Sequence, residues 1–130
     1  MHFSRTLLIA LEGLGCIGRR RDDCPIPLKD IASALRASPT YLSKILQQLT
    51  RAGLLRTVMG PHGGYHLARK PCEITLLEVV ELFDGPREVI AHQRAGKYSP
   101  KVVEMLQWCA EPSRERLAQL TVVDLVEAFE

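Results

Sequence analysis

Cysteines that could work together are missing from this sequence. Its four, Cys16, Cys24, Cys72 and Cys109, lie far apart with no C-x-x-C spacing. The chain is also too long for a small cysteine-stapled scaffold, and a reduced, cytoplasmic protein is the expectation. Charge of one sign is scarce as well: 17 Lys and Arg stand against 15 Asp and Glu, leaving +2. A general polyanion binder is thereby excluded, and any nucleic-acid surface has to come from local clustering. No apolar run approaches the roughly 20 residues that span a bilayer, so no membrane partner is expected. The apolar stretch 7–11 after Arg5 is cut short by Glu12 and lacks an A-x-A site, so it does not read as a signal peptide. Leu14-Gly15-Cys16 hints at a lipobox, but the apolar run before it is too short for export. No serine, cysteine or carboxylate stands in a recognisable nucleophile or acid–base motif, which argues against an enzyme.

What is present is a chain of 130 residues, 46% hydrophobic and 25% charged. That suits one globular domain with a moderate core, alone or with an oligomerisation arm. Residues 38–68 stand out as the stretch around which the rest is organised. Ser38 is a good N-cap and Pro39 suits the first helical position. Leu42, Ile45, Leu46 and Leu49 then recur at i, i+3, i+4 and i+7, giving one apolar stripe. Thr40, Lys44, Gln47 and Arg51 fall on the opposite side, flanked by Tyr41, Ser43 and Gln48. Gly53 is placed to end the helix in the left-handed conformation. Strand-like residues 54–59, a turn at 60–64 and a second short strand at 65–68 follow. A helix with a polar outer face followed by a glycine-tipped hairpin is the layout of a recognition helix and its wing. Two cations among amides and hydroxyls suit phosphate contacts and base-edge hydrogen bonds. An ordinary solvated helix beside an ordinary hairpin fits the same periodicity.

Phe3, Leu7, Ala10, Leu11 and Leu14 repeat with helical spacing ahead of Gly13-Leu14-Gly15-Cys16-Ile17-Gly18. The G-x-G-x-x-G match therefore lacks its preceding strand, and the glycines are expected to fray and end a first helix. Residues 19–23 form a charged loop, solvated or touching a phosphate backbone. Leu28, Ile31, Ala32 and Leu35 make a short second helix that turns at 37–39 into the next, completing a helix-turn-helix. Thr75 and Glu78 form a capping box for a helix ending before Gly85-Pro86. Ser99-Pro100 opens a further helix with Val102, Leu106 and Cys109 on one side, which Pro112 is expected to interrupt or kink. Thr121 and Asp124 cap a last short helix carrying Leu125, Val126 and Phe129, a candidate dimer arm unless it packs on its own domain. The expected fold is mainly α: a winged helix-turn-helix of three core helices and a two-stranded wing, with C-terminal dimerisation helices. Its parts would be residues 1–84, a loop 85–98, and a dimerisation helix with closing segment, 99–130.

The motifs L-K-D-I-A (28–32), S-P-T-Y-L (38–42), L-T-R-A-G-L-L (49–55), G-P-H-G-G-Y-H-L-A (60–68) and I-T-L-L-E-V-V (74–80) together resemble the bacterial winged-helix regulators that include IscR, NsrR and CymR. Trp108 and T-V-V-D-L (121–125) resemble that family's dimerisation helix and closing segment. The resemblance covers nearly the whole chain. It implies a cytoplasmic homodimer that binds a roughly palindromic double-stranded operator, usually as a repressor. Ser38, Thr40 and Tyr41 would meet the DNA backbone, and Ser43 and Lys44, with Gln47 and Arg51 on the same face, would lie where bases are read. Met59, Gly60, His62, Gly63, Gly64 and Tyr65 would form the wing. Val102, Leu106, Trp108, Leu117 and Leu120 would serve dimerisation. Relatives often carry an acidic residue in place of Ser43 and arginine in place of Met59, so a different wing readout is implied here. A winged-helix module that binds protein instead of DNA is the alternative.

Cluster-binding relatives hold an iron–sulfur centre through three closely spaced cysteines in the loop after the Gly-Pro. Here residues 85–108 contain none, and His92, Tyr98 and Glu104 stand in roughly the corresponding places. Thiolates are what hold such clusters, so no cofactor is expected. Leu8 or Glu12 occupies the region of the first helix from which some relatives take a further ligand. Cys109, sharing a stripe with Val102 and Leu106, reads as a buried core thiol. The inputs left open are thiol chemistry at Cys16, Cys24, Cys72 or Cys109, with Cys24 and Cys72 the more accessible, and a small-molecule or protein effector. His62 and His66, four apart on a hairpin, do not predict a metal pair.

Overall fold

In the computed structural model, the residues described are 3–20, 22, 24–85 and 99–128. They form α1 (Arg5–Gly18), α2 (Leu28–Leu35), α3 (Pro39–Arg51), β1 (Leu55–Val58), β2 (Gly64–Leu67), a 3-10 turn (Pro71–Glu73), α4 (Leu76–Phe83), α5 (Pro100–Gln119) and α6 (Val122–Ala128). The three-helix core and two-stranded wing expected from the sequence are both present. The packing centre, however, is α1 and not the 38–68 stretch. Ser4 opens α1 by accepting a hydrogen bond from the Leu7 N–H at 3.1 Å. Leu7, Ala10, Leu14 and Ile17 then fall on one buried face, against which α2, α3, α4, α6 and β2 all pack.

The first helix does end at these glycines, since Gly18 is the last residue of α1, but Gly13 and Gly15 do not fray it and lie buried within it. A Cβ on Gly18 would stand 2.9 Å from Val122 Cγ1 and 3.1 Å from Val126 Cγ2, so the missing side chain is what lets α6 close onto α1. Helical glycine costs about 0.5–1 kcal/mol against alanine, and close packing offsets it.

Local signals give α2 and α3 their ends. Arg36 leaves α2 in the left-handed region at φ 53°, while Ala37 N–H reaches Ala32 O at 3.0 Å and Arg36 N–H reaches Ser33 O at 3.3 Å. In α3, Ser38 Oγ accepts from Tyr41 N–H at 3.5 Å and Pro39 takes the first turn. Leu42, Ile45, Leu46 and Leu49 are all buried. Gly53 follows at φ 81°, with Leu54 N–H on Leu49 O and Gly53 N–H on Thr50 O, both at 3.0 Å. These two bonds make a Schellman cap.

The wing pairs Leu55 with Leu67 and Val58 with Gly64 in antiparallel register. A second ladder, absent from the sequence reading, fastens it to the body: Ile26 N–H donates to Tyr65 O and Tyr65 N–H to Ile26 O, each at 2.9 Å. The approach is close. Gly64 has φ 153°, and a Cβ there would fall 2.2 Å from Ile26 O.

Thr75 caps α4 by accepting from Glu78 N–H at 3.2 Å. The Glu78 carboxylate meets Arg69 at 2.5 Å. Pro112 does not break α5, which runs on to Gln119. Pro112 and Trp108, whose carbonyl loses its helical partner, are both exposed, so the proline sits where solvent rather than packed core surrounds the helix. Val103 is buried, and an Arg114–Glu81 pair at 2.6 Å ties α5 to α4. The closing segment returns to the body: Leu76 N–H bonds Leu120 O at 2.9 Å and Val122 N–H bonds Ile74 O at 3.0 Å. The terminal helix α6 thus packs on its own domain, with Val122 fully buried.

Gly53 and Gly64 separate conformational strain from steric contact, because a Cβ on Gly53 meets nothing within 4 Å. Gly53→Ala is expected to lower stability by about 1 kcal/mol, the left-handed penalty alone. Gly64→Ala should lose about 3 kcal/mol by adding a backbone collision. Urea denaturation of both variants checks this, and equal losses would remove the role assigned to the Ile26 contact.

Candidate nucleic-acid interface

The side of α3 facing away from its leucines carries Thr40, Lys44, Gln47 and Arg51, all exposed. Ser38 at the N-cap is exposed as well, and Ser43 is half-buried. Gln47 Nε2 donates to Ser43 Oγ at 3.1 Å, so these two neutral groups are held side by side along one edge of the face that carries the two cations. Such a face offers point charges for phosphates and an amide–hydroxyl pair for base edges.

Tyr41 is placed differently from its neighbours. It is half-buried, and its hydroxyl lies 2.6 Å from Thr6 Oγ1 on α1. Two residues before Thr6, the backbone N–H of Ser4 donates to Asp84 Oδ2 at 2.6 Å, and the Ser4 hydroxyl donates to Asp84 Oδ1. One end of α1 is therefore bonded both to the end of α4 and to the first turn of α3. The sequence reading missed Thr6 and Asp84, because partners 35 and 80 residues apart leave no local signature.

On the wing, Met59 is 89% exposed, and Gly60, Pro61 and His62 are exposed with it. Gly63 N–H closes the turn on Gly60 O at 3.0 Å. Gly63, Gly64 and Tyr65 are half-buried, and Tyr65 packs against the core, so it holds the base of the wing and not its tip. Arg56, exposed on β1, lies 3.4 Å from His66 Nδ1. A guanidinium only donates, so a hydrogen bond between the two has Nδ1 as its acceptor. Arg56 is a third cation beside α3 that the sequence reading did not single out.

Four positions assigned to dimerisation, Val102, Leu106, Trp108 and Leu120, are exposed, whereas Leu117 packs on the core of its own chain. Met105 joins the exposed group on α5, and Trp108 is 79% exposed. Cys109 is exposed too, contrary to the buried thiol expected: the stripe it shares with Val102 and Leu106 is apolar but faces outward, while Val103 and Leu117 make the buried side. Cys24 and Cys72 are exposed, and Cys16 is half-buried. Burial pushes the Cys16 thiol up against the opposing pull of Arg19, which makes it a poor nucleophile. His92 and Tyr98 lie outside the described residues. Among those described, no three His, Cys, Asp or Glu side chains gather as a metal site. The cysteines sit on α1, the loop after it, the 3-10 turn and α5, and 86–98 contributes none. This donor set does not fit a thiolate-held iron–sulfur cluster.

A helix-turn-helix with a polar, doubly cationic second helix and a wing beside it defines the winged-helix class of transcription regulators. Residues 3–128 match the Rrf2 family model, described as an iron-dependent transcriptional regulator, and the chain belongs to that family. It is 36% identical over 107 residues to protein aau3 of Rhizobium meliloti, covering 78% of this chain and 70% of that one. It is 42% identical over 60 residues to IscR of Aliivibrio salmonicida, covering 46% of this chain and 36% of that one. The structure of CymR from Bacillus subtilis superposes with a TM-score of 0.80 at 24% identity over 98% of both chains, a likeness of fold. In sequence the match to that CymR covers 54% of this chain and 51% of the relative.

The Thr6–Tyr41 bond invites a double-mutant cycle. Thr6→Val and Tyr41→Phe are each expected to cost about 1 kcal/mol, with a coupling of about 0.5–1.5 kcal/mol in the double variant. Strict additivity in thermal or urea unfolding would show that the bond contributes nothing.

Proposed function

We propose that this protein is a homodimeric, sequence-specific regulator of transcription that represses by binding a palindromic operator in the cytoplasm. The observation that carries this reading is the outward face of α3, where exposed Lys44 and Arg51 lie beside the bonded Ser43–Gln47 pair, next to an exposed wing. Half-sites about one helical turn apart, roughly 34 Å, fit a two-fold pair of such helices. Family membership supports a regulatory role over the alternative of a protein-binding module. The exposed α5 stripe of Val102, Met105, Leu106 and Trp108 supports the homodimer, since an apolar patch of this kind marks an interaction surface.

The input we infer is not an iron–sulfur cluster, despite the family's description. Thiol chemistry at exposed Cys24, Cys72 or Cys109, or a small-molecule or protein effector, takes its place; Cys16 is the least suited. CymR of Bacillus subtilis, which shares this fold, is that organism's global cysteine regulator, and this supports an input drawn from metabolism. Protein purified without oxygen should be colourless and iron-free. A brown, iron-containing preparation would sink the cluster-less reading.

Genomic DNA selection should return an enriched palindromic sequence. Against it, Lys44→Ala and Arg51→Ala are each expected to weaken binding and to reduce the salt slope by about 1. Unchanged affinity in both would move the reading surface elsewhere. Leu106→Asp or Trp108→Glu should turn the dimer into a monomer in light scattering and weaken operator binding at least tenfold. A dimer that survives both substitutions would place the interface off α5.

A further inference from the structure

A cavity of about 290 Å³ opens between the C-terminal end of α1 and the strand β2, on the body side of the wing. Ile17, Ile26 and Leu67 give it apolar walls. Arg20, Arg69 and Lys70 border it with positive charge, against one acidic residue, Asp22. The size falls just below the usual range for small-ligand sites, about 300–1,000 Å³, and an apolar wall with a few convergent polar groups is their usual make-up.

The cations are held to different degrees. Arg69 is fixed by Glu78 at 2.5 Å and by the Glu73 carbonyl at 3.5 Å, so its charge is already positioned before any ligand arrives. Arg20 bonds Asp22 at 2.8 Å, and that bond holds the Asp22 carboxyl below its usual range. Lys70 is exposed and has no acidic partner within 4 Å among the described residues. Among the described residues, a ligand bearing negative charge would therefore meet one cation without an acidic partner and one preorganised one.

We propose that this cavity binds a small organic anion, a carboxylate or phosphate ester of metabolite size, and that its occupancy is linked to the wing. The link is structural. Ile26 and Tyr65, which exchange the two hydrogen bonds fastening the wing to the body, both line the cavity. A ligand touching both partners favours whichever wing position leaves that bridge intact. This second half rests on the regulator reading above, whereas anion binding itself does not.

The test uses the full chain without DNA. Citrate and 2-phosphoglycolate are titrated by isothermal calorimetry at constant ionic strength, with chloride as the control anion. One of them should saturate at one site per chain, and Lys70→Glu and Arg20→Glu should each weaken that binding about tenfold while leaving the melting transition in place. Binding by neither probe overturns the site, and saturation that both variants retain places the anion elsewhere. Loss of duplex affinity in Lys70→Glu without any free-anion binding would assign the cations to the DNA backbone instead, and also overturns it. For the link, a saturating probe should change duplex affinity, and saturating duplex should change probe affinity by the same factor. Duplex affinity that ignores a bound probe would refute the link and leave the site standing. Absence of any specific duplex would refute the regulator reading alone.

Discussion

Burial of one face of α1 is the constraint on which the rest of this structure depends. Leu7, Ala10 and Leu14 are fully buried there, and each leucine stabilises the fold by roughly 1.5–3 kcal/mol. The elements sharing that face come from the whole chain, from α2 directly after it to α6 at the far end. Because Val122 packs where Gly18 has no side chain, the closing helix belongs to the same core as the helix-turn-helix. The reading helix α3 is thus fixed from behind by a helix that presents no residue to DNA in the proposed mode.

The same helix carries polar fixings that the core alone would not supply. Apolar packing is non-directional and tolerates small rotations of one helix over another. Hydrogen bonds do not. Thr6 to Tyr41 sets how the first turn of α3 sits on α1, and Ser4 to Asp84 sets where α4 ends relative to the same turn of α1. The wing has its own fixing at Ile26–Tyr65. Recognition helix and wing are therefore oriented by separate bonds, one to α1 and the other to the loop after it.

The local grammar of the recognition unit was legible in the sequence for a physical reason. Ser38, Pro39 and Gly53 act through bonds within three to five residues, and the stripe of Leu42, Ile45, Leu46 and Leu49 repeats at the helical period. Strand limits came out one residue different at each end because residues near a turn satisfy their backbone groups in more than one way. What stayed hidden was everything long-range: Thr6–Tyr41, Ile26–Tyr65 and Thr75–Thr121 join positions that no spacing rule connects. The glycines of α1 marked where the helix ends but not that the end is packed, because glycine is a helix breaker by propensity and only tertiary packing reveals that a missing Cβ was needed. Cys109 misled for a related reason. Periodicity shows that a helix face is apolar but is silent on what covers it, so Cys109 read as core although the stripe it shares with Val102 and Leu106 faces outward.

That uncovered face and the modest charge of the chain lead to one conclusion about assembly. With a net charge of +2, long-range attraction to DNA is weak, and affinity has to come from individual phosphate contacts. Lys44, Arg51 and Arg56 are three cations per chain near the proposed interface. At about 0.9 counterions released per phosphate contact, a single chain would have a salt slope of only about 3, in the range of weak non-specific binding. Two chains on one duplex double the contacts and add their binding free energies, provided that a rigid connection sets their spacing. In the proposed homodimer, the apolar stripe with Trp108 at 79% exposure would be that connection. The surface that a monomer leaves in water and the affinity that it lacks would then both be resolved by the same second copy.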